Sequence, residues 1–304
     1  MTQPADVTAQ PAPEPPPGEP GRGPAGTPPP APQPKVSRTG RNLPVAVGVG
    51  AALGALILVT IYRFPPGFVA VLVVAFGVAV AELVTQLMVA GARPPRLPLL
   101  AGTAAIVVCA YLGGIAGLAV AYAATVLATV FWRLPHATSG TVRDVSSAVW
   151  IATYVPFLGG FAALMFAQTQ GADRIVVFIA ATVCSDVGGY AAGVLFGRHP
   201  LAPRISPAKT WEGFAGSVVA CLLGGWLVGS WLLGLHPWQG LVLGAAAVVV
   251  ATLGDLAESA VKRDLGVKDM GRLLPGHGGL MDRLDSLLPV APVAYALLTL
   301  FVGA

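Results

Sequence analysis

The chain has 304 residues, 55% of them hydrophobic and only 11% charged, with mean hydropathy +0.74. Charge this scarce beside this much apolar length excludes an ordinary soluble domain. The formal net charge of +4 does not point to nucleic acid, since no basic arm interleaved with aromatics accompanies it; membrane topology accounts for the excess.

Residues 1–42 hold 13 of the 28 prolines, with few apolar residues and scattered charges. Such a composition cannot bury enough surface to offset the entropy of ordering, so a disordered, partly polyproline-like cytoplasmic tail is expected. No charged stub followed by a short apolar core opens the chain, and a cleaved signal peptide is not expected.

From Leu43 onward the pattern predicts nine membrane-spanning helices: 43–62, 65–90, 97–112, 115–132, 146–169, 174–197, 213–234, 238–260 and 286–303. Backbone groups in lipid must be paired internally, which makes these segments helices and the fold an all-α, polytopic membrane protein. Their breaks fall at Pro65-Pro66, Pro94-Pro95, Gly113-Gly114, Pro135, Gly171, Pro200 and His236-Pro237. With the N-terminus cytoplasmic, 16 of the 18 Lys and Arg lie inside and only Arg63 and Arg174 outside. The two long polar loops, 198–212 and 261–285, then share the cytoplasmic face, where nucleotides are found. Cys109, Cys184 and Cys221 sit in apolar stretches without metal-ligand spacing and read as small buried hydrophobes.

Six of the 14 acidic residues, Asp255, Glu258, Asp264, Asp269, Asp282 and Asp285, fall within 31 positions, beside five basic residues and His277. On helices, Asp255, Glu258 and Lys262 share one face, as do Asp282 and Asp285. A solvated charge run is the bland reading, but these acids flank membrane helices, where ionisable groups are expensive and are usually kept for a site. Asp186 lies within the sixth span beside Gly188-Gly189, which would let a neighbouring helix or a ligand come close. Glu82, alone in the second span, fits packing and function equally.

Carboxylates gathered from several helices beside Lys and Arg suit a hard cation and an oligophosphate, because magnesium takes oxygen ligands and commonly bridges substrate phosphates. Ser206-Pro207-Ala208-Lys209-Thr210 adds a Lys and two hydroxyls on a tight loop without the spacing of a Walker A motif. Gly278-Gly279 would let backbone amides approach an anion, and His277 could donate to phosphate, or the segment could be a hinge whose His caps a helix.

The stretch Ser259-Ala260-Val261-Lys262-Arg263, four residues, Lys268-Asp269-Met270-Gly271, two residues, then Leu274-Pro275-Gly276-His277-Gly278-Gly279-Leu280-Met281-Asp282-Arg283-Leu284-Asp285 closely resembles the signature of the phosphatidate cytidylyltransferases, the CDP-diacylglycerol synthases. The loop from Phe196 to Gly213 and the segment Gly254-Asp255-Leu256-Ala257-Glu258-Ser259 look like further hallmarks of that family. The resemblance implies transfer of the cytidylyl group of CTP to phosphatidic acid, giving CDP-diacylglycerol and pyrophosphate in phospholipid biosynthesis. It implies a multi-pass protein of the plasma (inner) membrane, a homodimer, and magnesium, with potassium as an ion that the family's metal centre can include.

Carried onto this chain, Asp255 and Asp282 become the leading metal ligands, with Asp186 and Asp285 nearby. Lys209, Lys262, Arg263, Lys268 and Arg283 would neutralise phosphates, while Ser206, Thr210 and His277 would hydrogen-bond them. Glu258, Ser259, Asp269, Gly278 and Gly279 complete the substrate-binding set. The charge of Asp282 is expected to serve the ion rather than the scaffold. Where the family is expected to carry a hydroxyl residue after the intramembrane aspartate this chain has Val187, for which Ser185 could substitute. The chain thus divides into the tail, N-terminal transmembrane helices at 43–144 and a C-terminal transmembrane catalytic region at 145–304. Two other activities are weighed: a CTP-dependent polyprenol- or phytol-type lipid kinase, which would release CDP, and a secondary transporter, for which no inverted repeat is visible.

Overall fold

Long apolar segments punctuated by Pro and Gly become helices here because only a helix satisfies its own backbone in a bilayer. The computed structural model describes residues 43–136, 139–271, 273 and 278–303; the proline-rich tail and His277 lie outside them. The elements run α1 (Leu43–Arg63), α2 (Pro65–Val89), α3 (Arg96–Arg133), α4 (Thr141–Ala152), α5 (Leu158–Ala167), α6 (Gly171–Phe196), β1 (Pro200–Ala202), β2 (Ser206–Thr210), α7 (Trp211–Leu233), α8 (Pro237–Asp264), α9 (Met281–Leu284) and α10 (Leu287–Val302). Seven helical segments among the described residues are long and apolar enough to cross a membrane, the last being α9 with α10, and α1 contributes a shorter apolar stretch, Gly50–Arg63. The chain is a mostly helical, multi-pass membrane protein.

Three details differ from the sequence reading. The expectation of an all-α chain is corrected by β1 and β2, an antiparallel pair that joins Pro200 to Thr210 and Ala202 to Ser206. The loop 198–212 is too polar to enter lipid and pairs its own backbone instead. The fifth predicted span begins earlier, at Thr141, and carries a π-turn at Thr153–Phe157, where Pro156 cannot continue the regular ladder. Residues 97–132 are continuous in α3, yet Gly114 there has φ 60° and ψ −151°. Straight, 38 residues would extend about 57 Å. Instead the chain folds back at Gly114: a Cβ on Gly102 would run into the Thr125 side chain, and one on Gly117 into the Cys109 carbonyl.

The core of the N-terminal part is built from large side chains. Leu83 of α2, Leu99 and Ile106 of the first half of α3, Leu118 of its second half, Ile151 of α4 and Met165 of α5 are all at most 1% exposed, and Phe68 packs edge-on against Phe166. On the far side of α6, the Arg174 guanidinium is fully buried and donates to Thr169 O, Gln168 Oε1 and Gly303 O at 2.9, 2.7 and 2.6 Å, fastening the end of α10 to the α5–α6 turn. Residues 41–304 form one compact unit, and position 144 lies within α4.

Candidate active site

The site is built where glycine lets backbones touch. A Cβ on Gly188 of α6 would stand 2.6 Å from the Gly216 carbonyl oxygen of α7, and one on Gly216 would stand 2.6 Å from that of Gly188. Ser217 completes the contact by donating to the Ser185 carbonyl at 2.6 Å. This is the small-residue packing that membrane helices use for close approach, and it answers the sequence question about Gly188-Gly189: the close neighbour is α7. At the other wall, a Cβ on Gly254 of α8 would stand 2.6 Å from the Asp285 carbonyl oxygen and 2.7 Å from Pro289, so the helix that carries Asp255 lies directly on the chain that carries Asp285.

Next to these two contacts lies a cavity of about 460 Å³, open on one side, whose wall includes Asp186, Lys209, Asp255, Asp282, Arg283 and Asp285. Asp186 and Asp285 lie close enough to Asp255 for their charges to interact, and Arg283 and Lys209 act on Asp186 with the opposite sign. Lys209 is ion-paired with Asp255, whose Oδ1 also accepts from Ser259 Oγ at 3.4 Å. Ser206 and Thr210 line the same cavity from β2; Thr210 Oγ1 caps α7 by accepting from Gly213 N at 3.1 Å. Glu212 secures the hairpin by accepting from the amides of Arg198 and His199 at 3.0 and 3.2 Å.

A second cluster sits beside the first. Glu258 is 1% exposed and ion-paired with Lys262, whose Nζ also reaches Asp282 Oδ1 at 2.9 Å. Asp282 further accepts from Met270 N at 3.0 Å and from Gly279 N at 2.8 Å. Its carboxylate therefore ties Met270 to Gly279, a scaffold contact beyond the expectation that the charge serves the ion rather than the scaffold. Gly278 is at φ 81°, in the left-handed region where a side chain would be strained.

Among the described residues no three His, Cys, Asp or Glu stand close enough to hold a metal ion by themselves. The donors are nonetheless of the right chemistry for magnesium, which keeps several waters and needs only one or two carboxylates beside substrate phosphates.

The chain matches the family model described as the cytidylyltransferase family over residues 45–301, which takes in every element that lines the cavity. It is 46% identical over 279 residues to the phosphatidate cytidylyltransferase of Mycobacterium leprae, covering 86% of this chain and 89% of that one. It is 42% identical over 296 residues to the enzyme of the same name from Mycobacterium bovis, covering 93% and 97%. Over a shorter stretch, 144 residues, it is 44% identical to the phosphatidate cytidylyltransferase of Brucella suis, covering 46% and 53%. This chain belongs to the cytidylyltransferase family.

Not every residue carried over from the family signature faces the main cavity of this cytidylyltransferase. Arg263 is exposed and donates Nε to Ile205 O at 3.3 Å, tying the end of α8 to the hairpin. Lys268 and Asp269 are exposed on a separate cavity of about 830 Å³, shared with Glu82, Gln86 and Arg96. Val187 is 62% exposed, whereas Ser185 lines the main cavity beside Asp186. Glu82, which sequence left open, contacts the signature segment itself: Oε1 accepts from Leu280 N at 3.1 Å and Oε2 from Met281 N at 2.9 Å. The only signal for it was a lone charge in an apolar span.

Proposed function

We propose that this cytidylyltransferase transfers the cytidylyl group of CTP to phosphatidic acid, releasing pyrophosphate. An oxygen of the lipid phosphomonoester attacks the α-phosphorus of CTP, the new P–O bond forms, and the bond to the β-phosphate breaks. The observation that carries the reading is the one cavity that carboxylates of α6, α8, α9 and the cap of α9 line together with Lys209 and Arg283.

Asp255 and Asp186, with Asp285 beside them, would hold magnesium. The ion would supply charge neutralisation on the triphosphate and make the α-phosphorus a better electrophile. Lys209 pairs with Asp255 when no triphosphate competes for it; its position on β2 suits it to swing its ammonium onto phosphate oxygens, with Arg283 in the same lining. The hydroxyls of Ser206 and Thr210 orient those oxygens, and the tight Gly188–Gly216 contact keeps the walls from spreading. Reactions of this kind need little covalent help, so positioning and charge neutralisation in a restricted cavity account for most of the acceleration.

The same reading gives nine crossings, counting α3 as two because it folds back at Gly114 and adding α1. It sets the N-terminus, the hairpin and the α8–α9 segment on the cytoplasmic side of the plasma membrane, as the charge asymmetry favours. It also includes a homodimer and a potassium ion beside magnesium, tested by mass measurement in nanodiscs and by potassium titration of turnover.

The test is purified protein with α-labelled CTP, phosphatidic acid and magnesium. Labelled CDP-diacylglycerol with equimolar pyrophosphate is the expected outcome. Release of CDP with label absent from the lipid would establish a lipid kinase, and substrate flux into vesicles without CTP turnover a transporter.

A further inference from the structure

Glu82 is the one charged side chain in α2, and a carboxylate in a membrane helix is costly unless something holds it. Here two backbone amides do, those of Leu280 and Met281 at the entry to α9. One turn along α2, Gln86 Nε2 donates to Met270 O at 2.9 Å, so the same helix face contacts both Met270 and the Leu280–Met281 step at the entry to α9. Gly271 and Gly279 meet at the carboxylate. A Cβ on Gly271 would land on Glu82 Oε1, and one on Gly279 would stand 2.7 Å from Oε2 and 2.6 Å from Gly271 N. Asp282 in turn accepts from the amides of Met270 and Gly279. The described residues Met270, Gly279, Leu280 and Met281 are thus held by two carboxylates, one from α2 and one from α9.

We infer that Glu82 is a positioning residue for the reaction proposed above: it fixes the first turn of α9 and so the direction in which Asp282, Arg283 and Asp285 enter the cavity. Glu82 lines the second cavity, while the residues it aligns line the first. It acts through the backbone of Leu280 and Met281, which explains why an N-terminal helix contributes to a site whose chemistry lies between α6 and α10. Gly271 and Gly279 are small because the carboxylate occupies the space their side chains would need.

The experiment compares Glu82→Ala, the isosteric Glu82→Gln and, as a purely structural control, Leu83→Ala, whose side chain is fully buried in the core. Turnover is read as separate kcat and KM for CTP, and amide exchange of the peptide spanning 278–286 is followed by mass spectrometry. For Glu82→Ala, kcat falls about 100-fold, the scale set by a small misplacement of reacting groups, KM for CTP moves less than about threefold, and exchange of 278–286 accelerates. Glu82→Gln, which keeps one acceptor oxygen, recovers about tenfold of that loss. Leu83→Ala lowers thermal stability but leaves kcat per folded molecule and exchange at 278–286 near wild type. Wild-type exchange in both Glu82 variants overturns the assignment, as does a kcat loss that Leu83→Ala reproduces at equal thermal stability. This inference rests on the proposed reaction for its kinetic arm only; wild-type protein that makes no CDP-lipid defeats that reaction, while the exchange arm still decides the role of Glu82.

Discussion

The helices before α6 and those after it are held together by opposite means. Between α2 and α5 most contacts are made by large aliphatic and aromatic side chains, among them Leu83, Leu99, Ile106, Leu118 and Met165; Phe76 and Leu118 sit on Gly159 and Gly160 of α5, and the close backbone approach of Gly117 to the Cys109 carbonyl belongs to the fold-back within α3. Between α6, α7 and α8 the backbones themselves meet: Gly188 against Gly216, and Gly240 of α8 against Gly225 of α7, where a Cβ would stand 2.6 Å from a carbonyl oxygen. Side-chain packing makes a solid wall. Backbone packing lets polar residues flanking the glycines, such as Asp186, face a shared cavity without bulky neighbours in between. The chemistry collects in the second region for that reason, and the first serves as its support, reaching in through Glu82.

The contrast breaks most completely at Gly188. Gly188→Leu forces a four-carbon side chain into a backbone contact, and strain of at least the 1–3 kcal/mol typical of overpacking follows. Pyrophosphate release falls below detection and the thermal transition in detergent drops. Leu83→Ala, by contrast, costs about 2–5 kcal/mol of stability while kcat per folded molecule stays near wild type. If both substitutions reduced kcat alike, the two regions would not differ in the way described.

Lys262→Met comes next, since it strands the buried Glu258 without its counter-ion and removes one partner of Asp282. Loss of one member of a buried pair costs about 3–5 kcal/mol, read as a lower melting temperature together with loss of turnover; an unchanged melting temperature would show that Glu258 is not charged in the fold. Lys209→Ala is milder for stability because the pair with Asp255 is a quarter exposed, but kcat/KM for CTP falls about 100-fold, the usual effect of removing one charged stabiliser. The smallest effect belongs to deletion of residues 1–40. The described residues that line the main cavity all fall between 185 and 286, and turnover is expected to stay within about twofold, the tolerance usual for a terminal segment.

Much of this was legible in the sequence, for reasons that differ by residue. Membrane helices announce themselves by apolar length, and the turn at Gly113-Gly114 was readable as a break although α3 runs through it, because Gly114 alone takes the left-handed conformation that reverses the chain. The carboxylates of the main cavity were found because charge in an apolar chain is conspicuous. Three things were not readable. Pairing of Pro200–Ala202 with Ser206–Thr210 depends on a local register that a polar, Pro-containing loop does not advertise. Lys268 and Asp269 belong to the signature in sequence, yet they line a second cavity, two and three residues after Gly266 with its φ of 67°. The grip of Glu82 on Leu280 and Met281 joins positions far apart in the chain, and no local pattern encodes a contact of that range.

The central claim is that carboxylates from separate helices share one cavity that takes a divalent cation together with a triphosphate. Manganese serves as the probe, with its electron paramagnetic resonance followed as it binds detergent-solubilised protein in the presence of CTP. Wild-type protein should immobilise the ion, and Asp255→Asn and Asp186→Asn should each weaken its binding about tenfold or more. Manganese held at wild-type strength by both variants would contradict the claim.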